Sequence, residues 1–172
     1  MPGITVPYEA FPGSIGVMLG EPEIAQIKAR EADLAGAGGV VLGPSSGGAL
    51  PASVCGENGS HAADCLRTIP PRENGGNMDV QQMQIGTRIL FPCFIDGCGV
   101  FAGDIHYAQG DGEVSGTAIE MGSITTLRVI KIHPGKASSM QMPATIAVSY
   151  THLRAHETLR YIVSRHQLEK IN

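Results

Sequence analysis

Three stretches of the chain carry a readable pattern of apolar and polar positions. From Pro22 to Ala35 the apolar residues Ile24, Ile27 and Leu34 fall near one face at helical spacing. Pro22 suits a first helical turn, Glu21 and Glu23 suit the positive end of the helix dipole, and Gly36 suits the stop. A helix docked through a narrow apolar stripe is therefore expected there. Thr87–Phe94 (TRILFPCF) and Ser123–His133 (SITTLRVIKIH) are rich in β-branched and apolar residues. The second alternates through Ile124, Thr126, Arg128, Ile130 and Ile132, so both are expected as strands, with Pro92 confining the first to an edge or a bulge. Short β-type pieces such as Ile15–Leu19 sit among the prolines and glycines of the first 20 residues.

Between these lies a glycine-rich run, Gly36–Ser60, in which GxxxxGK[ST] is absent and GxGxxG has no clean strand-to-helix context. A long ordered loop is expected. Composition agrees with a turn-rich, mainly β chain with minor α: 23 Gly and 11 Pro occur in 172 residues, 42% of which are hydrophobic. The fold class expected is α+β. Twelve Lys+Arg against 16 Asp+Glu give a net charge of −4, which argues against a nucleic-acid surface. Met1–Ala10 lacks the basic start and apolar run of a signal peptide, and no stretch approaches the ~20 apolar residues of a bilayer span. The cytoplasm is the compartment expected, with Cys55, Cys65, Cys93 and Cys98 as free thiols. A zinc site at Cys55-x5-His61-x3-Cys65 is the weaker alternative, because the tight CxxC pair is missing.

Candidate chemistry concentrates in GDIHYAQGDGEVSGTAIE, residues 103–120. Gln109-Gly110-Asp111-Gly112 has turn chemistry, so a hairpin is expected. On its first arm Asp104 and His106 share a face, while Ile105 and Tyr107 point the other way. On its second arm Glu113, Ser115 and Thr117 share a face. In the right register Asp104, His106 and Glu113 converge, with Asp111 at the turn, as an oxygen/nitrogen donor set for a divalent metal such as zinc. Water on such an ion has its pKa lowered towards ~7, and a neighbouring carboxylate can take its proton. Glycine amides at the turn can donate to a developing oxyanion. A structural acidic turn competes with this assignment, and Glu120 joins the site only through a bulge. Upstream, PPRENGGNMD (Pro70–Asp79) has a stiff entry, permissive glycines, and Asn77 and Asp79 two apart. Its plainer role is a turn in which Asn77 and Asp79 bond their own backbone.

Together, TIPPRENGGNMDVQQMQIGTRILFPCFIDG and GVFAGDIHYAQGDGEVSGTAIEMG resemble the acetamidase/formamidase family, as does YEAFPGSIGVML before them. The resemblance runs from about Thr5 to Lys131. It implies a partial β-sandwich-like fold with one short helix, a homo-oligomer, and hydrolysis of formamide, acetamide or similar linear amides to carboxylate and ammonia. By position it implies Glu113 and Asp111 as catalytic residues, Asp104 and His106 as metal ligands, and Asn77, Asp79 and Glu120 as substrate-binding residues. Family members are longer, so residues 1–147 are expected to be a fragment of the family domain. The alternative function is a non-catalytic β-domain that binds a metal or partner, or an inactive fragment of the amidase. Val148–Thr158 (VSYTHLRAHET) resembles a translated sequencing adapter, and LRYIVSRHQLEK after it looks like its continuation. Residues 148–172 are expected to be a non-native tail, and His152, His156 and His166 receive no role.

Overall fold

The structure is a computed structural model that describes residues 3–38, 49–132 and 140–146. The tail from Val148 and residues 39–48 of the glycine-rich run lie outside the described residues. The chain forms two compact units. One holds Met1–Ser14, Asp79–Pro92 and the segment from Ala102 onward; the other holds Ile15–Met78 and Cys93–Phe101. Strands are short and the resolved pairings are antiparallel, giving a mainly β, α+β architecture.

Strand β1 is Phe11–Gly16, β2 Gly75–Asn77, β3 Arg88–Leu90, β4 Phe101–Ala108, β5 Ile119–Glu120 and β6 Ala144–Ile146. One sheet runs in the order β2-β1-β4-β5, and β3 pairs with β6 in a second. β1 lies earlier than the expected Ile15–Leu19. Its alternation buries Phe11, Gly13 and Ile15 and leaves Pro12 and Ser14 half-exposed. The expected strand Thr87–Phe94 is trimmed to β3, which stops two residues before Pro92.

In the second unit, helix α1 spans Glu21–Gly36, one residue longer at each end than the pattern suggested. Glu23 Oε2 accepts the Gly20 N–H at 3.1 Å, which satisfies one of the donors a helix start leaves open. Ile27 is buried, but Leu34 is 51% exposed, so the docking stripe is narrower than expected. A short helical turn α2, Ala52–Cys55, also interrupts the expected loop. Arg72 and Glu73 of the PPREN segment grip α1. The Arg72 guanidinium donates to Glu31 Oε1 from Nε and Nη2, both at 2.9 Å, and through Nη1 to the Arg67 carbonyl at 2.6 Å. Glu73 is paired with Arg30, which holds its carboxyl below the usual range. The Arg72 side chain is 7% exposed, so cutting it away strands Glu31 and an accepting carbonyl. Arg72→Ala is expected to cost about 3 kcal/mol in urea unfolding.

Two expectations are corrected here. The cysteines are not free: Cys55 pairs with Cys65 and Cys93 with Cys98, with Cα–Cα separations of 5.4 and 4.9 Å that suit a cystine. The Cys55/His61/Cys65 zinc alternative falls with this, and His61 Nδ1 instead meets Ser60 Oγ at 2.9 Å. The free-thiol expectation came from compartment, not geometry, and two loops closed to cystine distance override it. The second correction concerns Ser123–His133. Residues 123–132 form no strand, and the apolar side chains stay in solvent, with Ile124 98% and Val129 75% exposed. Alternation specifies a face, but a strand also needs a partner ladder, and none of the described residues supplies one.

No helix among the described residues is long and apolar enough to cross a membrane.

Candidate active site

The first unit gathers its polar chemistry around one histidine. His106, on β4, is 0% exposed. Phe11 of β1 backs its ring at a centroid distance of 5.1 Å. On the reverse side of β4, Tyr107 meets Tyr8 edge-on at 5.0 Å. These contacts leave the imidazole little freedom to turn, and its Nε2 faces three carboxylates. Asp104 Oδ1 lies at 3.3 Å, Asp79 Oδ1 at 3.6 Å and Glu113 Oε1 at 3.7 Å.

Each carboxylate arrives by a different route. Asp104 is two residues before His106 on β4, and it sits at φ 54, a left-handed backbone inside a strand. Asp79 has φ 49, held from both sides: its N–H donates to the Gly13 carbonyl at 3.0 Å, and its own carbonyl accepts from Gln109 Nε2 at 2.6 Å. Glu113 does not come from a second hairpin arm. The chain reverses through a 3-10 turn, Asp111–Glu113, with Gly112 at φ 73 and Glu113 at φ 46. Pairing resumes only at β5, where Glu120 faces His106 in register across an irregularity between His106 and Ala108. Non-glycine residues at positive φ are uncommon, and three of them around one imidazole mark a backbone bent to aim side chains.

The other sequence candidates lie elsewhere. Asp111 is exposed and accepts from Gln81 Nε2. Glu120 is exposed on β5. Asn77 belongs to the second unit, where its Nδ2 donates to the Ile69 carbonyl at 3.0 Å. Asp79, expected among substrate contacts, offers a donor atom to the same group as Asp104 and His106, all three lying within 4.8 Å of one another. Gly13 went unnoticed: a Cβ there would meet Asp79 Oδ1, Asp104 Oδ2 and His106 Nε2 at 2.6–2.8 Å. Its only sequence signal was the Pro12-Gly13 pair in YEAFPGSIGVML.

The electrostatics of this group are unbalanced. Both ring nitrogens of His106 and Asp79 Oδ1 are buried and make no hydrogen bond among the described residues. Burial drives the Asp79 carboxyl up to about 6, and the neighbouring Glu113 and Asp104 add to the rise, against a smaller opposing effect of His106. Crowded carboxylates out of bulk water need a proton or a cation. The two aspartates and His106 therefore fit a metal on three observations: orphaned buried donors, a cradle that a methyl group would fill, and an O/O/N donor set of the kind borderline divalent ions take. An ion held there would supply Lewis acidity to a carbonyl or a water. Glu113, facing the same nitrogen, has the chemistry of a proton carrier.

Comparison with known proteins points to one family. Residues 1–163 match the model of the Acetamidase/Formamidase family. Over 75 residues the chain is 47% identical to an acetamidase of Mycolicibacterium smegmatis and 41% identical to a formamidase of Methylophilus methylotrophus. Each of those alignments covers 43% of this chain and 18% of the relative. Among solved structures, a gamma lactamase from Delftia acidovorans superposes with a TM-score of 0.66 at 32% identity, covering 85% of this chain and 38% of that one. The chain thus spans well under half the length of these relatives. With its motifs, its β-rich fold and a match over nearly its whole length, the chain belongs to the acetamidase/formamidase family.

Proposed function

We propose that this chain carries the catalytic cluster of an amide hydrolase that cleaves the C–N bond of short linear amides, formamide and acetamide first, to carboxylate and ammonia. The observation that supports it is the convergence of Asp79, Asp104 and Glu113 on the buried Nε2 of His106. We take Asp104, His106 and Asp79 as the holders of a divalent cation, with zinc the ion of choice for this donor set. Glu113 takes a proton from the attacking water as its oxygen bonds to the amide carbon. Glu113 then returns that proton to the nitrogen as the C–N bond breaks, so ammonia leaves neutral. Asp111, anchored by Gln81 two residues before Glu113, is the second candidate for proton traffic. Glu120, opposite His106 on β5, is the candidate for contact with the substrate amine.

A cyclic amide is the second candidate substrate, favoured by the 32% identity to a gamma lactamase. A cytoplasmic homo-oligomer completes the proposal. The family likeness supports the assembly, while the two cystines weigh against a reducing compartment.

The test is ammonia release from formamide and acetamide, and ring opening of a γ-lactam, by this chain and by the full-length gene that contains it. Linear amides should be turned over, a chelator should stop the reaction, and added zinc should restore it. Turnover that survives exhaustive chelation would remove the metal from the proposal. Absence of turnover on all three amides by the full-length protein would remove the hydrolase.

A further inference from the structure

We propose that Gly13 is the wall of the cation cradle: because it has no side chain, the donor atoms of Asp79, Asp104 and His106 can converge in front of it on one ion. This rests on the metal assignment made above. A Cβ built on Gly13 would lie 2.6 Å from Asp79 Oδ1, 2.7 Å from Asp104 Oδ2 and 2.8 Å from His106 Nε2. Three donor atoms from three residues thus crowd the space that a Gly13 side chain would need, at nearly equal distances. Ligand bonds run ~2.0–2.2 Å for zinc and ~2.3–2.6 Å for calcium, so the three donors can share one ion only if nothing wedges them apart. A side chain at this position would force the donors outward, since real Cβ atoms essentially never approach other atoms to under 3.0 Å.

Backbone conformation does not explain the glycine. Gly13 is absent from the residues at positive φ and lies within β1, where glycine weakens a strand by ~0.5–1 kcal/mol relative to alanine. A β-branched residue would be the ordinary choice there. Gly13 also accepts the Asp79 N–H at 3.0 Å, so one residue fixes the Asp79 backbone and keeps the space before its carboxylate open. Gly13 is a positioning residue, acting on the ion's seat and not on the substrate.

The experiment compares wild type, Gly13→Ala and Gly122→Ala, the last at a site where a Cβ meets nothing within 4 Å. Zinc alone is the probe, followed by equilibrium dialysis and by thermal unfolding with and without the ion. Wild type and Gly122→Ala should bind zinc and gain thermal stability from it. Gly13→Ala should keep the wild-type circular dichroism, lose the zinc-dependent gain, and bind at least ~100-fold more weakly, the upper end of what disturbing a ligand's support costs. Undiminished zinc affinity in Gly13→Ala overturns the assignment of Gly13 while leaving the metal site standing. A wild type that takes no zinc overturns the metal site, and Gly13's role with it. Should Gly13→Ala not fold, Mn(II) titration of the wild type followed by NMR decides: the Gly13 resonances should broaden together with those of Asp104 and His106, and a sharp Gly13 beside broadened ligands overturns the proposal.

Discussion

His106→Ala is expected to abolish stoichiometric zinc binding, with an affinity loss of about 100-fold or more, since even disturbing a ligand's outer partners costs up to that much. The reason lies in what His106 does for its neighbours. It is the one nitrogen donor among three carboxylates, it is wholly buried, and Phe11 fixes its ring. Its removal leaves Asp79 and Asp104 as a pair of like charges beside an apolar gap. Such a pair still attracts a cation, but it lacks the third donor that sets the geometry. Amide turnover should fall with the metal, and excess zinc should not restore it. Dialysis followed by metal analysis reads the outcome directly. A His106→Ala protein that retains one zinc per chain would place the ion elsewhere and undo the assignment of all three ligands.

Glu113→Gln should behave in the opposite sense on metal and in the same sense on rate. Zinc binding should persist, because the donors within 4.8 Å of one another are Asp79, Asp104 and His106. Turnover should drop by about 10²–10⁴-fold, the range for losing a positioned acid–base group, with KM little changed. Gln preserves the shape and the left-handed backbone demand at φ 46, so a folding defect is not the expected cause. Asp79 is the competitor for the same role, because its carboxyl is pushed up to about 6, where a proton carrier works well. The two are separable. Asp79→Asn should lose metal and rate together, whereas Glu113→Gln should lose rate alone. Equal rates in wild type and Glu113→Gln would strike Glu113 from the chemistry.

The sequence carried local information well and distant information poorly. Helix α1 was legible because Pro22, the first-turn acids and the stop at Gly36 are all signals within one segment. The shared face of Asp104 and His106 followed from a two-residue spacing. The route of Glu113 did not, because a 3-10 turn with Gly112 and Glu113 at positive φ replaces the straight second arm that alternation assumes. Asp79 and Gly13 were harder still. They meet Asp104 and His106 only after segments far apart in sequence come together, and no periodicity spans such a gap. The cystines escaped for a related reason, since pairing depends on loop closure in space. The strand expected at Ser123–His133 shows the converse failure: over 123–132 a strong local pattern finds no neighbour among the described residues to complete it.

That last segment has a consequence at the bench. Ile124, Leu127, Val129, Ile130 and Ile132 present a run of exposed, β-prone side chains whose backbone amides carry no ladder. Stretches of this composition seed intermolecular stacking when protein is concentrated. Purified material is therefore best kept dilute, and turbidity that grows with concentration reports on residues 123–132 before it reports on the histidine cluster.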